Sequence, residues 1–305
     1  MYRGNWATVA TFPSVDEVVK TDAFSTAIWQ LEPHREGMLP VAAGRGGPFN
    51  VHWEIHGDGP MKLVYSVLTI DNRGMGRSDK PMMRYSTSAM AADLLEVLDH
   101  LSWTDERQLH ICGISTAIEN TTSFSENMVN RITMLLPKSL DRTVTYTASN
   151  IFPAEWLAKP DDAILPDETV PRCRTPVGGW PYRRFESNYA RFAAQEVTKQ
   201  RDREGFTKPG FLLQVIAAGW HHKSAAQLRE IGDKVGRQRI LVIHGTEDRI
   251  ISVPHGRKLI EYLQPGKSVV VDGMGRKYLG PGVAVIAPLA FYLSKRRTLH
   301  LKSNY

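Results

Sequence analysis

The chain has 305 residues, 42% hydrophobic and 23% charged, with a formal net charge of +6. Those proportions exclude a wholly disordered protein and suit one large domain or two small ones. Cys112 and Cys173 are its only cysteines, too few for a disulfide framework or a cysteine-based zinc site. Residues 1–20 lack the apolar core of a secretion leader, and no run approaches the roughly 18 apolar residues of a membrane span. The expectation is a soluble, cytoplasmic protein.

The charge is unevenly placed. Arg276, Lys277, Lys295, Arg296, Arg297 and Lys302 fall in residues 276–305, which hold no Asp or Glu. The remainder of the chain is therefore balanced. A nucleic-acid surface spreads Lys and Arg over a folded face, so nucleic acid is not an expected partner. The tail also carries the apolar run 283–293, broken by Pro288. That run is too short to span a bilayer, and beside Lys295–Arg297 it allows at most a weak contact with a membrane surface.

In chain order, residues 1–40 mix proline, charge and isolated aromatics and read as an irregular arm with one short helix near residues 15–20. Residues 49–56 alternate as an edge strand does, residues 61–64 are β-like, and His56-Gly57-Asp58-Gly59-Pro60 between them is a hairpin signal. Residues 65–71 form a buried-strand pattern ending in Asn72-Arg73-Gly74. Residues 86–101 place apolar residues at helical spacing behind Ser and Thr caps. Residues 108–113 read as a strand. From there to about residue 231 the pattern is helical, polar and rich in Trp. A strand at 239–244 leads into Gly245-Thr246-Glu247-Asp248, followed by a helix at 257–263 and a strand at 268–272. Strands alternating with helices imply a parallel α/β sheet.

Two side chains stand where chemistry is expected. Ser115 follows the strand 108–113, where a sharp turn exposes a hydroxyl at the carboxyl edge of the sheet. Asp248 follows another strand at the same edge. Between them in logic, though earlier in the chain, Asp71 through Ser78 makes a third strand-end turn, with Gly74 and Gly76 permitting a tight path.

The run DNRGMGRSDKP, the helix after it, QLHICGIS and ILVIHGTEDRIIS, in this order, resemble the α/β-hydrolase superfamily. The stretches ARFAAQ and GFLLQVIAAGWHHKS are similar to the cap region of a fungal-looking, serine-type group within it. The resemblance runs from about residue 41 to 275. It implies an α/β-hydrolase-like, mostly parallel sheet, incomplete in its middle, with a helical cap insertion. The core takes residues 41–119 and 236–275, the cap 120–235 and the basic tail 276–305. Ser115 matches the nucleophile and Asp248 the acid. A following His would deprotonate Ser115, with backbone N–H groups cradling the oxyanion. No cofactor is implied, and the partner is a small acyl substrate such as an ester, thioester or lactone.

Three departures fall at catalytic places. A βαβ unit takes roughly 30 residues, yet the strand at 61–64 runs straight into the strand at 65–71, so the oxyanion loop is absent. The elbow reads Gly113-Ile114-Ser115-Thr116-Ala117, and the polar Glu119-Asn120 follow where the helix behind the nucleophile belongs. Gly273-Met274-Gly275 matches the Gly-x-Gly-His turn, but Arg276 stands in place of the His, and arginine cannot act as a base at neutral pH. Two internal segments are thus missing and the C-terminus is altered. His300 is the one later histidine. His221 and His222 are structural or substrate-facing, His244 is a core histidine, and His255 starts a helix. Trp156, Trp180 and Trp220 pack the cap, the alternative being that they line its pocket. Gly44-Arg45-Gly46-Gly47 precedes a strand and is no phosphate loop. Asp79, Glu247 and Arg249 are solvated loop charges, and no His, Asp and Glu have metal-ligand spacing. The expected function is that of an ancestral serine hydrolase with little or no activity; the alternative is a non-catalytic binding protein.

Overall fold

The computed structural model describes residues 12–59, 62, 66–111, 139–219, 221–248 and 251–275. In chain order its elements are α1 (Val15–Val19), a 3₁₀ turn (Asp22–Thr26), β1 (Arg35–Val41), β2 (Phe49–His56), β3 (Val67–Ile70) and α2 (Thr87–His100). Helices α3 (Leu140–Ile151), α4 (Ala154–Leu157), α5 (Asn188–Arg201), α6 (Lys208–Gly219) and α7 (Ala225–Val235) follow. The chain then forms β4 (Leu241–Gly245), α8 (Val253–Leu263) and β5 (Lys267–Val271).

The strands form two sheets among the described residues. β1, β2 and β3 are antiparallel in that order, and β4 pairs in parallel with β5. The parallel expectation therefore holds for β4 and β5, while the first sheet is antiparallel. β2 is its central strand and not an edge, because Arg35–Val41 pairs along its other side. That strand lies in what reads as an irregular arm, and Gly37 and Pro40 disguise it. Residues 65–71 yield only the four-residue β3, half-exposed along its length. Of residues 108–113, Leu109 makes a single isolated bridge to Lys62, and residues 112 and 113 lie outside the described set.

Local chemistry accounts for the helix boundaries. Ser86 Oγ accepts the Ala89 amide at the start of α2, and Ser187 does the same for Ala190 at α5, each satisfying an otherwise orphaned donor. Ser14 with Glu17 and Ser224 with Gln227 close reciprocal capping boxes on α1 and α7.

Among the described residues three apolar clusters hold the fold. Val51, Trp53 and Ile55 project from one face of β2 against Val97 and Leu98 of α2 and Leu101 at its C-cap. Val242 of β4 packs with Leu228 and Val235 of α7 and Leu259 of α8. The third cluster is helical: Val15 and Val18 of α1 join Val144 and Ala148 of α3 and Tyr189, Ala193 and Val197 of α5. The turn at Gly44–Gly47, with positive φ at Gly44 and Gly46, is the connection between β1 and β2. No helix among the described residues is long and apolar enough to cross a membrane.

Candidate functional site

The carboxyl ends of β4 and β5 are laced together by backbone and side-chain bonds. The Thr246 amide donates to Val271 O at 3.0 Å and the Glu247 amide to Met274 O at 2.9 Å. Thr246 Oγ1 donates to Asp272 Oδ1 at 3.0 Å while accepting the Gly273 amide at 2.8 Å. Space is so restricted that a Cβ on Gly245 would lie 2.1 Å from Met274 O. Gly273 adopts φ +68°, a conformation suited to glycine. Parallel pairing puts both strand ends at one edge, which is the reason two turns 27 residues apart meet there.

Asp248 sits in this laced region, half-buried, with Oδ1 accepting the Ile251 amide at 2.8 Å. That bond turns the chain toward α8. Ser115 lies outside the described residues, as do Arg249, Trp220, Arg276 and His300. Gly273-Met274-Gly275 is built as a turn beside the Asp248 loop, and in the sequence Arg276 follows it directly.

The remaining histidines have identifiable settings. His221 Nδ1 is 2.8 Å from Thr87 Oγ1, joining the end of α6 to the start of α2. Burial, with the charges of Lys223 and His222, holds its imidazole below the ordinary range. His222 is exposed. His244 has Nδ1 2.8 Å from Gly245 O and a buried Nε2 with no hydrogen-bond partner among the described residues; its ring lies so close to α8 that a Cβ on Gly256 would come within 2.3 Å. His255 is buried in the first turn of α8. Trp156 stacks on Phe152 and Trp180 meets Tyr182 edge-on, both packing roles.

The turn after β3 is clamped from two sides. Arg73 forms a bidentate pair with Asp93 of α2 at 2.8 and 2.7 Å, and neither side chain is more than 2% exposed. Arg45 Nη2 reaches the same carboxylate at 3.1 Å. From the helical side, Gln214 Nε2 donates to Arg73 O and the Gly76 amide donates to Gly205 O, both at 2.8 Å. Asp79 is more than a solvated charge, since its Oδ2 accepts the Asn50 amide at 2.6 Å.

The structure also gathers a cluster that the sequence spacing conceals. Glu36 of β1 and Glu54 of β2 are directly opposed in the antiparallel register, and His52 lies two residues from Glu54 on the same face. One ligand-capable atom from each lies within 4.8 Å of the others. His52 Nδ1 is 3.1 Å from Asp71 Oδ2, and Arg77 Nη1 is 2.6 Å from Glu36 Oε2. Hydrogen bonds from Arg77 and His52 keep the Glu36 carboxyl below its ordinary range. These residues have no metal-ligand spacing along the chain; the β1–β2 pairing brings together residues that are 16 and 18 apart. Opposed glutamates in paired strands are the signal, legible only once β1 is identified.

No protein-family model matches the chain, and no curated protein matches it. Solved structures do resemble it. A bromoperoxidase from Bacillus anthracis is 14% identical, with 79% of this chain and 92% of that one aligned at a TM-score of 0.50. A hydrolase from Pseudomonas aeruginosa is 18% identical over 79% of this chain and 91% of that one, at a TM-score of 0.49. A meta-cleavage product hydrolase from Pseudomonas fluorescens is 14% identical over 79% and 90%, at a TM-score of 0.47. At these identities the likeness establishes the fold alone, α/β of the α/β-hydrolase kind, and the bromoperoxidase match carries it.

Proposed function

We propose that this chain derives from a serine hydrolase of small esters, thioesters or lactones, and that it retains two parts of that machinery without the third. Ser115 is the nucleophile and Asp248 the acid that would fix the tautomer of a histidine base. The observation that carries this reading is the latch between Thr246–Asp248 and Gly273–Met274 at the carboxyl edge of β4 and β5. A turn after β5 is held beside the acid, where an α/β-hydrolase fold presents its base, and the next residue is Arg276. A guanidinium stays protonated and cannot take the Ser115 proton. The helical insertion 120–235 acts as the cap that shapes a partly apolar substrate pocket. As it stands the protein binds an acyl compound and turns it over very slowly or not at all.

The test combines p-nitrophenyl ester hydrolysis with fluorophosphonate labelling of the full chain. The native protein should hydrolyse esters no faster than its Ser115→Ala variant. Arg276→His should raise the rate by about 10²-fold, the lower end of what a positioned general base supplies, and Ser115→Ala should abolish that gain. Strong labelling of the native chain at Ser115 would show a working base elsewhere and overturn the inactivity. A folded Arg276→His variant with no gain would remove position 276 from the site and favour a non-catalytic binding protein.

A further inference from the structure

We infer that Glu36, His52 and Glu54 form a binding site for a single divalent transition-metal ion, of which Zn²⁺ is the fitting example, on the face of the β1–β2 hairpin. Its ligands are other residues than Ser115 and Asp248, and it does not rest on the hydrolase reading.

The spacing of the ligand atoms is the first support. His52 Nε2 lies 3.3 Å from Glu36 Oε2 and 3.7 Å from Glu54 Oε1. Ligands at 2.0–2.2 Å in a tetrahedral site are about 3.3–3.6 Å from one another, so His52 Nε2 stands from each glutamate oxygen nearly as an ion would hold it, and all three atoms lie within 4.8 Å of one another. One imidazole with two carboxylates suits a first-row transition ion, whereas Mg²⁺ and Ca²⁺ take oxygen ligands alone.

The second support is orientation. His52 is 7% exposed, and its Nδ1 faces Asp71 Oδ2 at 3.1 Å. An ion needs the tautomer with the proton on Nδ1, donated to Asp71, which frees the Nε2 lone pair now 3.1 Å from Arg77 Nη1; this is the carboxylate–histidine arrangement that positions metal-binding imidazoles. Asp71 is itself fixed, its Oδ2 accepting the Arg77 amide at 2.9 Å. Glu54 Oε2 is occupied by His56 Nε2 at 3.1 Å, which leaves Oε1 for the site.

The third support is charge. Three carboxylates, Glu36, Glu54 and Asp71, surround the His52 imidazole, and among the described residues Arg77 is a cation that faces them. Directly opposed like charges on paired strands destabilise the pairing, and one guanidinium neutralises only part of the excess. Arg77 is 63% exposed, with Nη1 2.6 Å from Glu36 Oε2 and Nη2 3.4 Å from Glu54 Oε1. Its guanidinium stands in for the metal as a mobile cation that can swing into solvent when a divalent ion takes the glutamates.

This competition makes the test specific. Chelator-stripped full-length protein is titrated with ZnCl₂ by calorimetry, with MgCl₂ as the comparison ion. The expected result is one Zn²⁺ per chain and no comparable Mg²⁺ binding. Glu36→Gln, an exposed and isosteric change, should abolish that binding, and Asp71→Asn should weaken it by about 10–100-fold. Arg77→Met should tighten it, because the resident cation is gone. Zn²⁺ binding that survives Glu36→Gln, or that weakens in Arg77→Met, would overturn the assignment, as would the absence of stoichiometric binding to the native chain. A Zn²⁺-induced rise in melting temperature that is lost in Glu36→Gln gives a second readout.

Discussion

Removing Asp93 should be among the most damaging single substitutions outside the apolar core. Its carboxylate, 2% exposed, accepts two hydrogen bonds from Arg73, whose side chain is fully buried, and a third from Arg45 Nη2 at 3.1 Å. Asp93→Ala leaves the Arg73 guanidinium enclosed by Phe49, Tyr85 and the Met83 sulfur, with no carboxylate to balance it. Breaking a buried pair in this way costs about 3–5 kcal/mol. Arg73→Met is the gentler lesion, because Arg45 still faces Asp93; losing charged hydrogen bonds there costs about 1.5–3 kcal/mol. With a urea m-value of about 3 kcal/mol/M, Asp93→Ala lowers the unfolding midpoint by about 1–1.7 M and Arg73→Met by about half as much. The double variant Arg73→Met with Asp93→Leu should cost less than the sum of the single changes, since it removes the orphaned charge together with its partner. Urea melts followed by tryptophan fluorescence measure all three. A cost for Asp93→Ala below about 1 kcal/mol, or one smaller than that of Arg73→Met, would refute the reasoning.

Three further outcomes are expected. Burial pushes the Asp161 carboxyl up, but Arg191 and the Phe185 and Ala163 amides outweigh it and leave the group below its ordinary value. Its contribution to stability is therefore complete above the unfolded value of about 3.9 and lost as pH falls through the lower folded value; Asp161→Asn should flatten that acid limb in urea melts between pH 2.5 and 6. The His221 imidazole is also held low, so the unfolded chain takes up its proton first, and the associated stability is whole well above pH 6.5 and falls as the pH drops through about 6.5. His221→Gln should reduce the difference in urea midpoint between pH 8 and 5.5, and an unchanged difference would dismiss the assignment. A Cβ on Gly210 would sit 2.0 Å from Gly74 O, so Gly210→Ala should destabilise by about 1–3 kcal/mol through overpacking, which a fall in melting temperature detects and a rise contradicts.

The legible parts of the sequence were those with local causes. Ser86 and the apolar spacing behind it place α2 to within a residue, and the runs before Gly245 and Asp272 locate β4 and β5. What depended on distant pairing was harder to read. Arg35–Val41 carries Gly37, Pro40 and charge, so nothing local marks it as a strand; the ladder to β2 creates it. Missing β1 made β2 look like an edge and hid the meeting of Glu36 with Glu54. The turn at Asp71–Ser78 was recognised from its glycines, yet its clamp by Gly205 and Gln214 depends on chain more than a hundred residues away. Asp248 stood out because it follows a strand, whereas the Thr246–Asp272 lacing that holds its turn came from side chains with no motif of their own.

The contacts of Arg73, Gly76 and Thr87 with Gln214, Gly205 and His221 fasten the returning end of the helical segment beside the place where the chain left. The chain between the end of α2 and Gly205 thereby leaves and returns at one place, a neck to which α2 itself contributes through Asp93. For such an excursion, doubling its length adds only about 0.6 kcal/mol of closure entropy. Evolution can lengthen, shorten or replace material inside it while the neck keeps the two flanking parts in register. The neck, with its buried Arg73 and its glycine-to-glycine contact, is where change should be resisted, while beyond it α3 and α5 keep their own core with α1.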